Sequence, residues 1–150
     1  MKYIILELIP TSLNPEKGEI IQLSALKLND LNLIDRFDYR IVDSKVPLDS
    51  MLEMISYDKD KFVYKDTKEE IIKDFIKWIE DYKLLIIDNQ YTLNYLKDIE
   101  NEKESVFNHL NMKYHDYIID EVINKYHLEP SNYIVDLLYE ALIYESNNRK

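Results

Sequence analysis

A single glycine, Gly18, stands in 150 residues, and that scarcity removes whole classes of chemistry from this chain. A dinucleotide-binding fingerprint and a Walker loop each need several glycines where backbone closes on phosphate. Neither can be written with one. Cysteine is absent altogether, which excludes a disulfide scaffold, a thiolate nucleophile and a Cys-ligated zinc or iron–sulfur centre, and fits a reducing cytoplasm. Lys and Arg number 19 against 29 Asp and Glu, a net charge of −10, so any basic surface that holds nucleic acid must be local.

A hydrophobic content of 46% is enough for one continuous core. The expectation is one domain over residues 1–145, followed by a frayed tail at 146–150. Leu84 to Ile87, the longest aliphatic run, falls far short of the roughly 20 residues a membrane span needs. Tyr3 to Ile9 is broken by Glu7 and stopped by Pro10, too short for a signal peptide. The expected chain is soluble and cytoplasmic. Its 13 tyrosines accompany abundant Lys, Asn and Ile, the usage of AT-rich codons, and carry little functional weight.

Period-2 patterning predicts strands at Tyr3 to Ile9, Glu19 to Leu28 and Leu31 to Val42, joined by the Asn14–Gly18 turn and a tight Asn29-Asp30 hairpin. Asp43 to Asp66 reads as loop, with one helical turn around Ser50 to Ile55. Thr67-Lys68-Glu69-Glu70 matches a capping box, and Ile71, Phe75, Trp78, Ile79 and Tyr82 follow at helical spacing. Beyond it come a strand at Lys83 to Ile87, a helix at Tyr91 to Glu100, a final strand at Ser105 to Asn108 and a helix at Asp116 to Tyr126. Pro130-Ser131 opens the last helix, with Ile134, Leu137, Leu138 and Ala141 on one face. This order predicts a mixed α/β fold with a parallel pairing across the Glu69–Tyr82 helix. The first strand is expected in the middle of the sheet, with Trp78 packed toward it.

Three segments resemble the motifs of the DnaQ-like 3′-to-5′ exonucleases of the DEDDh group. Tyr-Ile-Ile-Leu-Glu-Leu-Ile-Pro-Thr-Ser-Leu-Asn-Pro at 3–15, followed by Gly-Glu-Ile-Ile-Gln-Leu-Ser-Ala-Leu-Lys-Leu at 18–28, is similar to the first. Asp88-Asn89-Gln90-Tyr91-Thr92-Leu93-Asn94-Tyr95-Leu96 resembles the second with one residue fewer, and Leu128-Glu129-Pro130-Ser131 through Asp136 to Tyr144 the third. The resemblance implies a ribonuclease H-like sheet of five strands, order 3-2-1-4-5, flanked by helices.

It also implies a site. In that family four carboxylates hold two Mg²⁺ ions that clamp a phosphodiester, and a histidine takes the proton of the attacking water. Two of the carboxylates stand at i and i+2 on the first strand, so that both project from one face. In this chain those positions are Glu7 and Ile9. The second-motif carboxylate falls on Thr92, and the third-motif histidine on Ser131 or, in another register, Asn132. Asp136 alone matches outright, leaving Glu7 and Asp136 as candidate metal ligands. Mg²⁺ demands near-octahedral oxygen donors, and neither Ser131 nor Asn132 titrates as a base near neutrality. The catalytic set is therefore mostly substituted, as in a pseudoenzyme. No cofactor is expected, and Mg²⁺ or Mn²⁺ only if activity remains.

Each residue has a plainer account. Glu7 is equally a structural charge paired with Lys27 or another basic neighbour, Asp136 a first-turn carboxylate favoured by the helix macrodipole, and Asp88 a turn residue rather than a substitute ligand. His109, His115 and His127 lack zinc-hydrolase spacing, and Asp58-Lys59-Asp60 lacks the glycine and glutamate of a calcium loop. Lys59, Lys61, Lys65 and Lys68, interleaved with Tyr57, Phe62 and Tyr64, form the one basic stretch. Asp58, Asp60 and Asp66 offset its charge. Three functions stay open: a degenerate exonuclease-like binding module, an active metal-dependent nuclease rebuilt from Glu7, Asp88 and Asp136, and a regulatory protein-interaction domain. The expected partner is a protein, with nucleic acid bound weakly or not at all. Composition and spacing leave the oligomeric state open.

Overall fold

The computed structural model describes residues 1–42, 45, 61–131 and 133–148. Alternating side chains make strand β1 (Lys2–Pro10) two-faced: Ile4, Leu6 and Leu8 enter one core layer, while Ile5 enters the other with Glu7 and Ile9 on its side. β2 (Ile20–Asn29) pairs antiparallel with β1 from Lys2↔Asn29 to Pro10↔Ile20 and is buried along its length apart from Asn29, the signature of a strand covered on both sides. β3 (Asn32–Ile41) continues the meander antiparallel on β2. The hairpin turn sits one residue beyond its expected place. Its corner residues Asp30 (φ 50°) and Leu31 (φ 66°) are both left-handed, as a two-residue hairpin matching strand twist requires. A leucine is costly in that conformation, and the turn is held from outside by the Tyr139 hydroxyl, which donates to the Leu31 carbonyl at 2.8 Å.

Helix α1 (Lys68–Ile79) starts where Thr67 Oγ1 accepts from the Glu70 amide at 3.2 Å. It buries Ile71, Phe75 and Ile79 and leads to β5 (Lys83–Ile86), parallel to β1 through Tyr3↔Lys83 to Ile5↔Leu85. Trp78 packs on this layer, its ring 5.4 Å from that of Phe37. Helix α2 (Gln90–Leu96) is capped by Asn89 Oδ1, which accepts from the Thr92 amide at 2.9 Å. β6 (Lys103–Ser105) pairs parallel with β5, and helices α3 (Val106–His109), α4 (Ile118–Tyr126) and α5 (Ile134–Asn148) complete the chain. α1 and α2 cover one face of the sheet; α3, α4 and α5 cover the other. Among the described residues no helix is long and apolar enough to cross a membrane.

With β4 (Val63–Lys65) the sheet has six strands, in the order β4-β3-β2-β1-β5-β6, which corrects the expected five in the order 3-2-1-4-5. This added member lies in the segment read as loop and pairs parallel with the outer edge of β3. Three residues are too few to display a period, and the free edge of β3 supplies the pairing. The expected strand at Ser105 to Asn108 is also corrected. Pairing ends at Ser105, whose Oγ accepts from the Phe107 amide at 3.3 Å and starts α3, so a serine cap decides an apolar pair that reads either way. The helical turn expected around Ser50 to Ile55 lies outside the described residues.

Gly18 is fixed by space. A Cβ there would run into the Tyr95 hydroxyl and come within 3.0 Å of Ser12 Cβ and 3.2 Å of the Asn14 carbonyl oxygen. The hydroxyl cannot swing away freely, because it donates to the Ser12 carbonyl at 2.8 Å and thereby ties α2 to the β1–β2 loop. Gly18→Ala is expected to destabilise the fold by about 1–3 kcal/mol, the usual cost of overpacking. Urea unfolding checks this, and an unchanged midpoint would contradict it.

Candidate functional site at the end of the first strand

Glu7 and Ile9 project from β1 toward α4 and α5, and at the start of α2 Thr92, only 1% exposed, completes the same corner. The three border one cavity of about 130 Å³, together with Asn89, Tyr91 and Asp116. A second cavity of about 440 Å³ shares Glu7, Ile9, Tyr91 and Ile134 and runs along Thr11 to Leu13. Three positions from two separate sequence motifs thus meet in space.

Glu7 is 8% exposed, and no hydrogen bond or ion pair joins its carboxyl to any described residue. Its cross-strand neighbour Ser24 is engaged by Gln22, whose Oε1 accepts from Arg40 Nε at 3.0 Å. Burial disfavours the charged form and pushes the Glu7 carboxyl up to about 7. Burial also raises the Tyr91 hydroxyl, with further contributions from Tyr114 and from Glu7 itself. The structural pairing with Lys27 does not occur. Lys27 stands on the opposite sheet face, over the Trp78 and Tyr82 rings, and pairs with Glu80 at 2.9 Å.

Asp136 is placed elsewhere. Its carboxylate receives both arms of the Arg36 guanidinium, at 2.7 and 3.4 Å, and it borders a cleft with Arg36, Asp38, Lys61 and Tyr133 rather than the Glu7 cavity. Ser131 is exposed, and its Oγ accepts from the Tyr133 amide at 3.0 Å, a local turn before α5. Asn132 lies outside the described residues. Asp88 is an exposed turn residue that accepts from the Ser105 hydroxyl at 2.8 Å. Among the described residues no three His, Cys, Asp or Glu side chains gather as a metal centre.

The donor set does not fit two Mg²⁺ ions. Ile9 and Ile134 present hydrocarbon where oxygen is required, and Asp136 serves Arg36. What the sequence reading missed is Asp116, Asn89, Tyr91 and Tyr114. Asp116 reads as the start of a helix and Tyr91 as one more tyrosine in a tyrosine-rich chain, so neither carries a local signal of its place at this wall.

The basic stretch is not a stacking platform in its described part. Phe62 is buried beneath the Arg40 guanidinium at 4.0 Å, Lys65 pairs with Asp74 at 3.4 Å, and Lys68 donates to the Pro15 and Gly18 carbonyls. Tyr57, Lys59 and the Asp58–Asp60 run lie outside the described residues. His109 and His115 sit beside Glu104 and Glu121, at 3.3 and 3.0 Å, apart from the cavity. No protein-family model matches the chain and no curated protein matches its sequence, so the site is read from its own geometry.

Proposed function

We propose that the chain is a non-catalytic relative of the DnaQ-like exonucleases, in which the position of the two-metal centre has become a binding cavity. One observation carries the reading: Glu7, Ile9 and Thr92, the positions matched to three of the family's carboxylates, border a single cavity that is walled largely by hydrocarbon. Support for the ribonuclease H-like relationship comes from the run β3-β2-β1-β5-β6 within the sheet and from β1 lying between an antiparallel and a parallel neighbour. The net charge of −10 favours a protein or a small molecule over a nucleic acid as what the domain meets.

A rebuilt nuclease is the competing reading, and Asp116 favours it by adding a carboxylate to the Glu7 cavity. Against it, Asp88 and Asp136 are engaged elsewhere. Metal stabilisation is worth several kcal/mol and each 1.36 kcal/mol is tenfold in rate, so its loss costs roughly a thousandfold or more. The expected result with a 5′-labelled single strand is no ladder of shortened products in Mg²⁺ or Mn²⁺, with Glu7→Ala and Asp136→Ala indistinguishable from wild type. A ladder that vanishes in Glu7→Ala would establish the rebuilt nuclease instead.

A further inference from the structure

We propose that the Glu7 cavity binds an organic ammonium group, a primary or methylated amine, held between the Glu7 and Asp116 carboxylates and the Tyr91 and Tyr114 rings. The inference rests on reading this cavity as a binding site and adds the chemistry of its ligand. It starts from an anomaly. Glu7 is more than nine-tenths buried, borders two cavities and has no partner among the described residues, whereas buried polar groups in native proteins are almost always satisfied.

No described residue supplies the missing cation. Lys27 belongs to Glu80 on the other face, Arg36 to Asp38 and Asp136, and Arg40 donates to Gln22. The inference assigns that partner to a ligand from outside, and the wall selects its kind. Ile9, Ile118 and Ile134 offer a hard cation no oxygen, yet they suit the methyl or methylene groups around an amine nitrogen. Tyr91 and Tyr114 add aromatic rings, and a cation over a ring gains about 0.5–2 kcal/mol depending on its desolvation. Asp116, exposed at the rim, supplies a second negative charge that attracts the ligand from solvent.

Size agrees. A cavity of about 130 Å³ holds the equivalent of about four waters, room for an ammonium head group. The adjoining cavity of about 440 Å³, which shares Glu7, Ile9 and Tyr91, leaves space for a substituent. Two sources carry this chemistry: a free small amine, or a lysine side chain on a partner protein.

The test is titration of the full chain with choline chloride, with its uncharged isostere 3,3-dimethylbutan-1-ol, and with Nα-acetyl-lysine methylamide, followed by amide chemical shifts of Glu7, Tyr91 and Thr92. At least one ammonium probe is expected to bind saturably at pH 8, the isostere at least tenfold more weakly. Glu7→Gln is expected to lose at least tenfold in affinity, and Tyr91→Leu several-fold, each with an otherwise native spectrum. Choline binding alone assigns a free amine, and the lysine probe alone a partner protein; both support the ammonium class. Equal binding of the isostere, no saturable shift with either cation, or unchanged affinity in Glu7→Gln would overturn the proposal. A Mg²⁺-dependent ladder in the nuclease assay would instead sink the functional reading beneath it, so the two failures are distinguishable.

Discussion

The stability of Glu7→Gln relative to wild type is expected to rise by about 3 kcal/mol between pH 4 and pH 8, most of it between about pH 5 and pH 7. The sign follows from the direction of the shift. In the unfolded chain the carboxyl titrates at its ordinary value of 4.5, and in the fold at about 7, because burial disfavours the carboxylate. Below both values it is neutral in both states and costs nothing electrostatically. As the pH rises between them, the unfolded state gives up its proton while the folded state keeps it, so the unfolded state is favoured progressively. Above 7 both are ionised and the full penalty remains. Glutamine cannot titrate and removes this slope. Its amide still lacks a buried partner, but that cost is the same at every pH. Urea unfolding of both proteins across the range reads the difference, in which the titration of all other carboxylates cancels. Parallel curves would mean that the Glu7 carboxyl has a compensating partner.

How much of this was legible depends on the range of the interaction concerned. β1, β2 and β3 are announced by short-range alternation, and α1 by Thr67 together with the Ile71, Phe75, Ile79 spacing, because each of those patterns is complete within a few residues. β4 is not, since Val63–Lys65 is a strand only by virtue of the β3 edge beside it. The cavity was half legible. Motif resemblance points to Glu7, Ile9 and Thr92, whereas Asn89, Tyr114 and Asp116 arrive at the same wall through chain folding that no local pattern encodes. Asp136 shows the limit most sharply. It matches a family carboxylate by position, yet its charge is claimed by Arg36, 100 residues earlier in the chain.

Phe75→Ala is expected to destabilise the protein by about 3–5 kcal/mol, more than any other change considered. Phe75 is fully buried and stands where α1 meets the sheet, 5.2 Å edge-on from the Phe37 ring and 6.1 Å from Trp78. Phe37 is itself stacked on Tyr39 at 3.9 Å, so truncation opens a void beside the three remaining rings and forfeits aromatic pairings worth roughly 0.5–1.5 kcal/mol each. Collapse into the void is resisted, because Phe37 and Tyr39 are fixed by pairing with β2 and Ile71 and Ile79 are already buried in the same layer. Against a typical domain stability of about 5–15 kcal/mol, the loss is about a fifth or more. Ile76 lies on the same helix but is 46% exposed, and Ile76→Ala is expected to change stability by less than about 0.5 kcal/mol. Urea unfolding of the pair, with matched m-values, separates burial from helix propensity. The Glu7 cavity is at the end of β1, and Phe75 is not among the residues that line it. A folded Phe75→Ala protein is therefore expected to keep its ammonium-probe affinity, and similar losses in both variants would refute the assignment of Phe75 as the anchor of α1.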